Sequence, residues 1–193
     1  MVDTKNKILT EALKLFSTYG YEAVSVNDIA TELKLTKSAL YKHFLNKRDV
    51  FESILREMER LDAENASKFY LPLEDADVNK DGYSDFSIEN LKAFCKYQFS
   101  FWTENVFASS FRKMLTIERY TSKEMGRLYS QYLEGGPLKY VTDLFEGIKI
   151  KNAELKALEF YSPMFFLYGL YDSEVDKQKI YDLFNKHIED FKI

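Results

Sequence analysis

The sequence is poor in cysteine, proline and glycine, and each shortage limits the kinds of protein that it can encode. Its one cysteine, Cys95, cannot form a disulfide within the chain, so a disulfide scaffold is excluded and a reducing compartment is expected. Only 3 prolines and 7 glycines interrupt 193 residues. Because these two residues are the main helix breakers, their scarcity favours long helices.

Long apolar runs and histidines are scarce as well. The most apolar run, residues 163–171, is far shorter than the about 20 residues that a membrane-spanning helix needs. The N-terminal segment mixes acidic with basic residues, which is typical of an amphipathic helix and not of a signal peptide. We therefore expect a soluble, cytoplasmic protein that does not contact a membrane.

Catalytic signatures are missing. The two histidines, His43 and His187, lie far apart in the sequence, and neither an HExxH motif nor a phosphate-binding glycine loop is present. Cys95 has no evident base near it in the sequence. We expect no enzymatic activity, no cofactor and no metal.

Charge is unevenly distributed along the chain. Residues 1–48 hold 8 Lys and Arg against 5 Asp and Glu, although the whole chain has a formal net charge of −4, which leaves about −7 for the remainder. A basic N-terminal region on an acidic protein indicates that this region meets a polyanion.

Helical periodicity covers most of the sequence, and no segment shows the alternation of a strand. Thr4 begins a first helix that Gly20 ends, and Ser25 and Asp28 form a capping box for a second helix. Thr36 caps a third helix that runs to about Phe44. The pattern repeats at Asn46 and Asp49 and starts a fourth helix, which extends to about residue 68. Later helices are predicted at 87–105, 107–120, 122–134, 137–147, 152–171 and 175–192.

The predicted fold class is all-α, with two domains. Residues 1–48 form a three-helix, helix-turn-helix domain, and a fourth helix over 46–68 connects it to a larger helical domain over 69–193. Between them, residues 71–87 form the one long connection. Asp77, Asn79, Asp81 and Gly82 imitate an EF-hand calcium loop there, but Ile88 occupies the position of the bidentate glutamate, so an ordinary turn is favoured.

The second and third helices have the spacing of a helix-turn-helix, whose second helix enters the major groove of DNA. Ile29 and Ala30 lie on the apolar face of the second helix, and Leu40 and Phe44 meet it from the third. The third helix therefore directs its other face outward. Lysine and serine there can donate to base edges, an alanine methyl can contact a thymine methyl, and tyrosine and histidine suit phosphate oxygens. The outward residues are Lys37, Ser38, Ala39, Tyr41, Lys42 and His43.

The stretch VSVNDIATELKLTKSALYKHFLNKRDVF, residues 24–51, resembles the DNA-binding domain of the tetracycline-repressor (TetR) family of bacterial transcription regulators. The resemblance covers about residues 4–60. It departs from the family pattern at Lys34 in the turn and at Ser38, where glycine is common. The positions that it implies for DNA contact are Ser25, Asn27, Thr36, Lys37, Ser38, Ala39, Tyr41, Lys42, His43 and Lys47.

The larger domain is rich in aromatic residues, since most of the 14 Tyr and 16 Phe follow residue 68. For any one of them, ordinary helical core is the simpler interpretation. Together they also suit a pocket for a small apolar or aromatic effector, and the resemblance implies a pocket of this sort. Its candidate residues are Phe94, Tyr97, Phe101, Trp102, Phe111, Met114, Tyr120, Tyr129 and Phe166.

The last two helices carry wide apolar stripes that one chain does not obviously cover. In the family that the sequence resembles, the corresponding helices of two subunits form a four-helix bundle, so a homodimer that binds a palindromic operator on double-stranded DNA is implied. The candidate interface residues are Leu158, Tyr161, Phe165, Ile180, Phe184 and Ile188.

These observations favour a transcriptional regulator. The resemblance implies a repressor that a small-molecule effector releases from its operator. Two other classes stay open. A helical adaptor would use the aromatic surface for protein partners and would have lost DNA binding, which the charge segregation disfavours; an enzyme is the least favoured class. A mobility shift on the promoter region of its own gene would separate the regulator from the adaptor.

The two lysines Lys42 and Lys47 are expected to respond differently to substitution. Lys47→Ala should weaken binding to all DNA sequences alike and lower the salt dependence by about one counterion, because a phosphate contact reads no sequence. Lys42→Ala should relax specificity at the base that the lysine reads. Binding titrations on a selected operator at several salt concentrations measure both. If neither change affects binding, the proposed orientation of the third helix on DNA is wrong.

Overall fold

A computed structural model describes residues 4–69 and 87–192, and within these ranges the regular elements are all helices. The all-α class predicted from the sequence is confirmed. The helices are α1 Thr4–Tyr19, α2 Val26–Glu32, α3 Lys37–Tyr41, α4 Lys47–Lys68, α5 Ile88–Glu104, α6 Val106–Glu118, α7 Lys123–Leu133, α8 Gly135–Gly147, α9 Ala153–Ser173 and α10 Lys177–Asp190.

The helix bounds lie within two residues of the predicted ones, except at the end of α3. The prediction extended this helix to about Phe44, whereas it ends at Tyr41. The amides of Lys42 and His43 donate to carbonyls three residues earlier, Ala39 and Leu40, so the chain tightens into a turn. The third helix is therefore only 5 residues long.

Side-chain caps start the short helices as the sequence predicted. The Ser25 hydroxyl accepts from the Asp28 amide at 3.2 Å, and the Asp28 carboxylate accepts from the Ser25 amide at 2.8 Å, which completes the capping box. The Thr36 hydroxyl accepts from the Ala39 amide at 3.1 Å. At the start of α4, Asn46 accepts from the Asp49 amide, but Asp49 accepts from the amide of Leu45, one residue earlier than a capping box would have it.

Two turns adopt the left-handed backbone conformation that the sequence suggested. Gly20 ends α1 with φ of 87°, and Lys34 lies between α2 and α3 with φ of 56°. Glycine adopts this region freely. In lysine the Cβ crowds the backbone carbonyl oxygen there, which costs of the order of 1 kcal/mol. The departure at Lys34 therefore leaves the turn geometry intact at a cost in stability.

The helices group into two compact units. The first, called unit one here, comprises residues 1–62 and 105–129. Within it α1 packs against α6 and α2, and α2 packs against α3. Its core includes Ile8, Phe16, Ile29, Leu40, Phe44, Phe51 and Phe111. The apolar face predicted for the helix-turn-helix is therefore buried, and the opposite face of α3 is left outward.

Unit two comprises residues 63–104 and 130–193. In it α9 packs against α8 and α10, and α5 packs against α9 and α10. Phe99 lies at the centre, with ring centroids 4.4 Å from Phe184, 5.5 Å from Tyr168 and 5.4 Å from Tyr181. The predicted domain boundary after residue 68 stays a prediction. The two units are defined by packing, and they place residues 105–129 with the N-terminal helices although these residues follow the boundary in the chain.

Two negative findings apply to the described ranges. None of their helices combines the length and the apolar character needed to cross a membrane. Their His, Cys, Asp and Glu side chains form no group of three that could hold a metal ion. The residues that imitate a calcium loop, Asp77 to Gly82, lie outside the described part of the chain.

The strain at Lys34 can be measured. We expect Lys34→Gly to raise the free energy of unfolding by about 1 kcal/mol, because glycine removes the steric cost of the left-handed turn. Glu59→Gly, at an exposed position inside α4, should lower it by about 1 kcal/mol. Urea denaturation with unchanged m-values tests both variants. A loss of stability in Lys34→Gly would contradict the account of the turn.

The capping box predicts a pH effect at Asp28. Hydrogen bonds from the side chain and the backbone of Ser25 stabilise the ionised carboxylate and lower the pKa of Asp28. The resulting stabilisation is present at pH values above the pKa that Asp28 has in the unfolded chain. It is lost as the pH falls through the lowered pKa of Asp28 in the folded protein. NMR titration of the carboxyl carbon should show the pKa of Asp28 rising in Ser25→Ala. An unchanged midpoint in that variant would show that the cap does not control this carboxylate.

Candidate nucleic-acid interface

The residues predicted to contact DNA all belong to unit one, and most of them face solvent. Eight of the ten are exposed, while Ala39 and Lys47 are half-buried. They come from the cap and the start of α2, from α3 with its cap, from the turn that follows, and from the first residue of α4. These residues, which span 25–47 in the sequence, therefore lie mostly at the surface of the helix-turn-helix and of the segments next to it.

The third helix is held from behind by one fully buried residue. Leu40 has no exposed surface and anchors α3 against the core, while the Lys37, Ser38 and Lys42 side chains are exposed. The Lys37 ammonium lies 5.9 Å from the centre of the Tyr41 ring, a cation–π contact that orients both side chains. The outward face thus presents two ammonium groups and a hydroxyl, the donors that guanine edges and phosphates accept.

Lys47 has partners inside the protein that the sequence did not indicate. Its Nζ donates to the carbonyl of Tyr21 at 2.9 Å and to that of Glu22 at 3.3 Å, and it lies 4.3 Å from the centre of the Tyr21 ring. Its side chain is 23% exposed. The Lys47 ammonium also lies 3.8 Å from the Glu22 carboxylate, so an acidic side chain of the protein already neutralises part of its charge. The phosphate contact of Lys47 stays a prediction, beside a structural role that is visible here.

Two carboxylates beyond residue 105 also contact the DNA-binding region, and sequence analysis missed both. Glu118 accepts from the Tyr21 amide at 2.6 Å. Glu124 accepts from both terminal nitrogens of the Arg48 guanidinium, at 2.8 and 2.7 Å. These hydrogen bonds lower the pKa of Glu124 and raise the pKa of Arg48 further above its ordinary value. No local sequence signal marks such pairs, because their members lie 97 and 76 residues apart.

The candidate pocket residues do not share one environment. Phe101, Trp102, Phe111, Met114 and Tyr129 are buried, and Phe94 and Tyr97 are half-buried. Tyr120 and Phe166 are instead 84% and 66% exposed. Side chains this exposed in the described structure do not line an enclosed pocket, so these two predictions are corrected.

Unit two contains a continuous aromatic cluster around Tyr97. Its ring lies 5.3 Å from that of Phe69 and stacks on Phe101 at 6.3 Å, and Phe101 continues to Trp102. The Tyr97 hydroxyl donates to the Asn65 side chain at 2.8 Å. Asn65 is 2% exposed and was not predicted from the sequence, since a single asparagine on a helix carries no signal of burial.

The candidate dimer residues divide into two groups. Tyr161, Ile180, Phe184 and Ile188 are buried within the single chain, and the Tyr161 hydroxyl donates to the Leu133 carbonyl at 2.7 Å. These four therefore cannot face a second subunit in this fold, and the prediction is corrected for them. Leu158 is 47% exposed and Phe165 is half-buried.

Leu158 and three further apolar residues form an exposed stripe on α9. Its members are separated by three, eight and four residues, spacings that keep them on one face of the helix, and we call them the α9 stripe. They are Leu155, Leu158, Phe166 and Leu170, exposed by 54%, 47%, 66% and 37%. Gly169 lies next to the stripe in open space, where an added Cβ would meet no atom within 4 Å.

Comparison with known proteins finds a family match over the N-terminal helices. Residues 8–54 match the family described as bacterial regulatory proteins, tetR family. Over 52 residues the chain is 36% identical to the biofilm operon icaADBC HTH-type negative transcriptional regulator IcaR of Staphylococcus aureus, a match that covers 27% of this chain and 28% of that protein. The chain thus spans little more than a quarter of the length of this relative.

Solved structures extend the similarity of fold to nearly the whole chain. The TetR family transcriptional regulator PfmR from Thermus thermophilus aligns with a TM-score of 0.62 and 23% identity, over 98% of this chain and 95% of that one. The fatty acid degradation regulator FadR from Bacillus halodurans aligns with a TM-score of 0.63 and 17% identity, over 97% and 96%. Residues 8–54 thus resemble the TetR family of bacterial regulatory proteins, and the all-helical fold is similar to that of these solved structures over nearly the whole chain.

Proposed function

We propose that the protein is a homodimeric transcriptional regulator that binds a palindromic operator on double-stranded DNA and represses transcription until a small effector releases it. The observation that carries the proposal is the outward face of α3, where exposed Lys37, Ser38 and Lys42 stand on a helix anchored by buried Leu40. The description of IcaR as a negative regulator supports repression over activation.

Direct reading of bases is assigned to the outward face of α3. Lys37 and Lys42 donate to guanine O6 and N7 or to phosphates, Ser38 bonds to base edges, and the Ala39 methyl contacts a thymine methyl. Tyr41 and His43 hold the phosphate backbone on either side. The hydroxyl of Ser38, where the family commonly has glycine, adds a donor and an acceptor at the closest point of approach.

The dimer is assigned to the α9 stripe. Exposure of Phe166 and three leucines to water is unfavourable, and a second copy of the same face would bury them symmetrically. Gly169 leaves room beside Phe166 for the backbone or a side chain of the partner helix. A two-fold dimer presents two copies of α3, which matches the symmetry of a palindrome.

The effector site is assigned to the aromatic cluster of unit two. Phe94, Tyr97, Phe101 and Trp102 offer apolar faces, and Asn65 with Lys68 offers polar groups at its edge, since the Lys68 ammonium donates to the Asn65 side chain at 3.1 Å. An effector that prefers the form unable to bind DNA shifts the population of dimers. A coupling of about 1–3 kcal/mol changes operator affinity by roughly 5- to 150-fold.

In-vitro selection of bound DNA from a random pool tests the function. The parent protein should enrich a palindrome, because two symmetry-related α3 helices read two half-sites. Phe166→Glu should give a monomer in sedimentation that no longer selects a palindrome, since it places like charges across the two-fold axis. Ile117→Glu, an equally drastic change at a 51% exposed apolar residue outside the stripe, should remain dimeric.

Each result has a distinct meaning. A parent protein that enriches no sequence would show that DNA binding is wrong. A dimeric Phe166→Glu variant that still selects a palindrome would move the interface away from the α9 stripe while leaving the DNA-binding function in place.

A further inference from the structure

The α1–α2 turn is held by a buried carboxylate from another part of unit one. Glu118, the last residue of α6, is only 4% exposed, and its Oε1 accepts from the Tyr21 amide at 2.6 Å. Its Oε2 accepts from the Thr121 hydroxyl at 2.7 Å. A carboxylate is rarely buried unless both of its oxygens accept hydrogen bonds, and here one oxygen accepts from a backbone amide of the turn.

Gly20 fits this contact in two ways. Its φ of 87° lies in the left-handed region, and a Cβ at this position would lie 2.9 Å from the Glu118 Oε1 atom. A side chain would therefore strain the backbone and push the carboxylate away at the same time. The turn and the carboxylate depend on each other.

The same turn is held from the other side by the start of α4. The Lys47 ammonium donates to the Tyr21 and Glu22 carbonyls, and the Tyr21 ring packs at 5.1 Å against both Phe16 and Phe51. Lys47 thus joins the residues just before α2 to the residues just after α3. The helix-turn-helix, residues 26–41, is closed at its two ends.

Next to Lys47, Arg48 extends the contact to α7. Its guanidinium binds the Glu124 carboxylate through two parallel hydrogen bonds, and it also donates to Glu52 at 2.9 Å. A bidentate pair of this kind fixes direction as well as distance. The segment 118–124 therefore contacts the chain on both sides of the helix-turn-helix: Glu118 binds Tyr21 before it, and Glu124 binds Arg48 after it.

We propose that Glu118 and Glu124 are positioning residues for operator binding: they hold the segments that precede and follow the helix-turn-helix, at Tyr21 and Arg48, and so set the orientation of α3 without touching DNA themselves. The inference rests on the proposed function. It assigns to residues 118–124 the control of recognition geometry, with the Tyr21 amide and the Arg48 guanidinium as the groups through which the two carboxylates act.

Amide hydrogen exchange tests the Glu118 contact without DNA. The Tyr21 amide should exchange slowly in the parent protein and faster in Glu118→Ala, because its acceptor is lost. Glu118→Gln retains an oxygen acceptor and should recover part of the protection. Glu59→Ala, at an exposed glutamate of α4, is the matched control and should leave Tyr21 unchanged. Equal protection of Tyr21 in the parent and in Glu118→Ala would overturn the assignment of Glu118.

Operator binding tests the consequence. The ratio of affinity for the selected operator to affinity for unrelated DNA should fall roughly 2- to 30-fold in Glu118→Ala, the range expected when a group acts at a distance from the ligand. The salt dependence should stay that of the parent, because no phosphate contact is lost. A parent-like ratio, or a reduced salt dependence, would contradict a positioning role.

A charge exchange tests the second contact on exposed residues, where folding is not at risk. Arg48→Glu and Glu124→Arg should each lower the specificity ratio, and the double variant, which keeps the parent's net charge, should restore it to within about threefold. If Arg48 instead acted by binding phosphate, the double variant would stay impaired. A parent that selects no DNA would overturn the proposed function, and the exchange of Tyr21 alone would then decide whether Glu118 holds the turn.

Discussion

The helix-turn-helix of this protein depends on how its two ends are held. With 7 and 5 residues, α2 and α3 are far shorter than the about 12 to 15 residues at which an isolated helix becomes even marginally stable. Their position comes from burial of Ile29 and Leu40 and from the hydrogen bonds around Tyr21. Because Lys47 and Glu118 bind the carbonyl and the amide of that one residue, the closure of the turn couples three helices, α1, α4 and α6.

This arrangement separates the groups proposed to read DNA from the groups that support them. On α3 the polar side chains point outward, and a single leucine anchors the helix. The buried polar contacts lie behind it and are mostly to backbone groups, which are present whatever the operator sequence. A regulator can therefore change Lys37, Ser38 or Lys42 to read another operator while the scaffold around Tyr21 stays the same. The left-handed Lys34 shows that even the turn tolerates a residue that costs stability, provided that its backbone path is kept.

Local features of the fold could be predicted from the sequence, and contacts between distant segments could not. The capping box at Ser25, the cap at Thr36 and the left-handed Gly20 depend on residues within four positions, so the pattern alone indicated them. The apolar stripe of α10 was also recognised, but its partner was not. Ile180, Phe184 and Ile188 face α5 and α9 of the same chain, and a stripe says only that a helix face is buried, not against what. The contacts of Glu118 and Glu124 have no sequence signal because fold, not spacing, brings them to the turn.

The central claim is that two copies of α3, held in a fixed orientation, read successive major grooves. Hydroxyl-radical footprinting of the dimer on its selected operator measures this most directly. We expect two protected patches related by a dyad and separated by about one helical turn, roughly 10 to 10.5 base pairs, or a whole multiple of it. A single asymmetric patch, or protection spread evenly along the DNA, would contradict the claim.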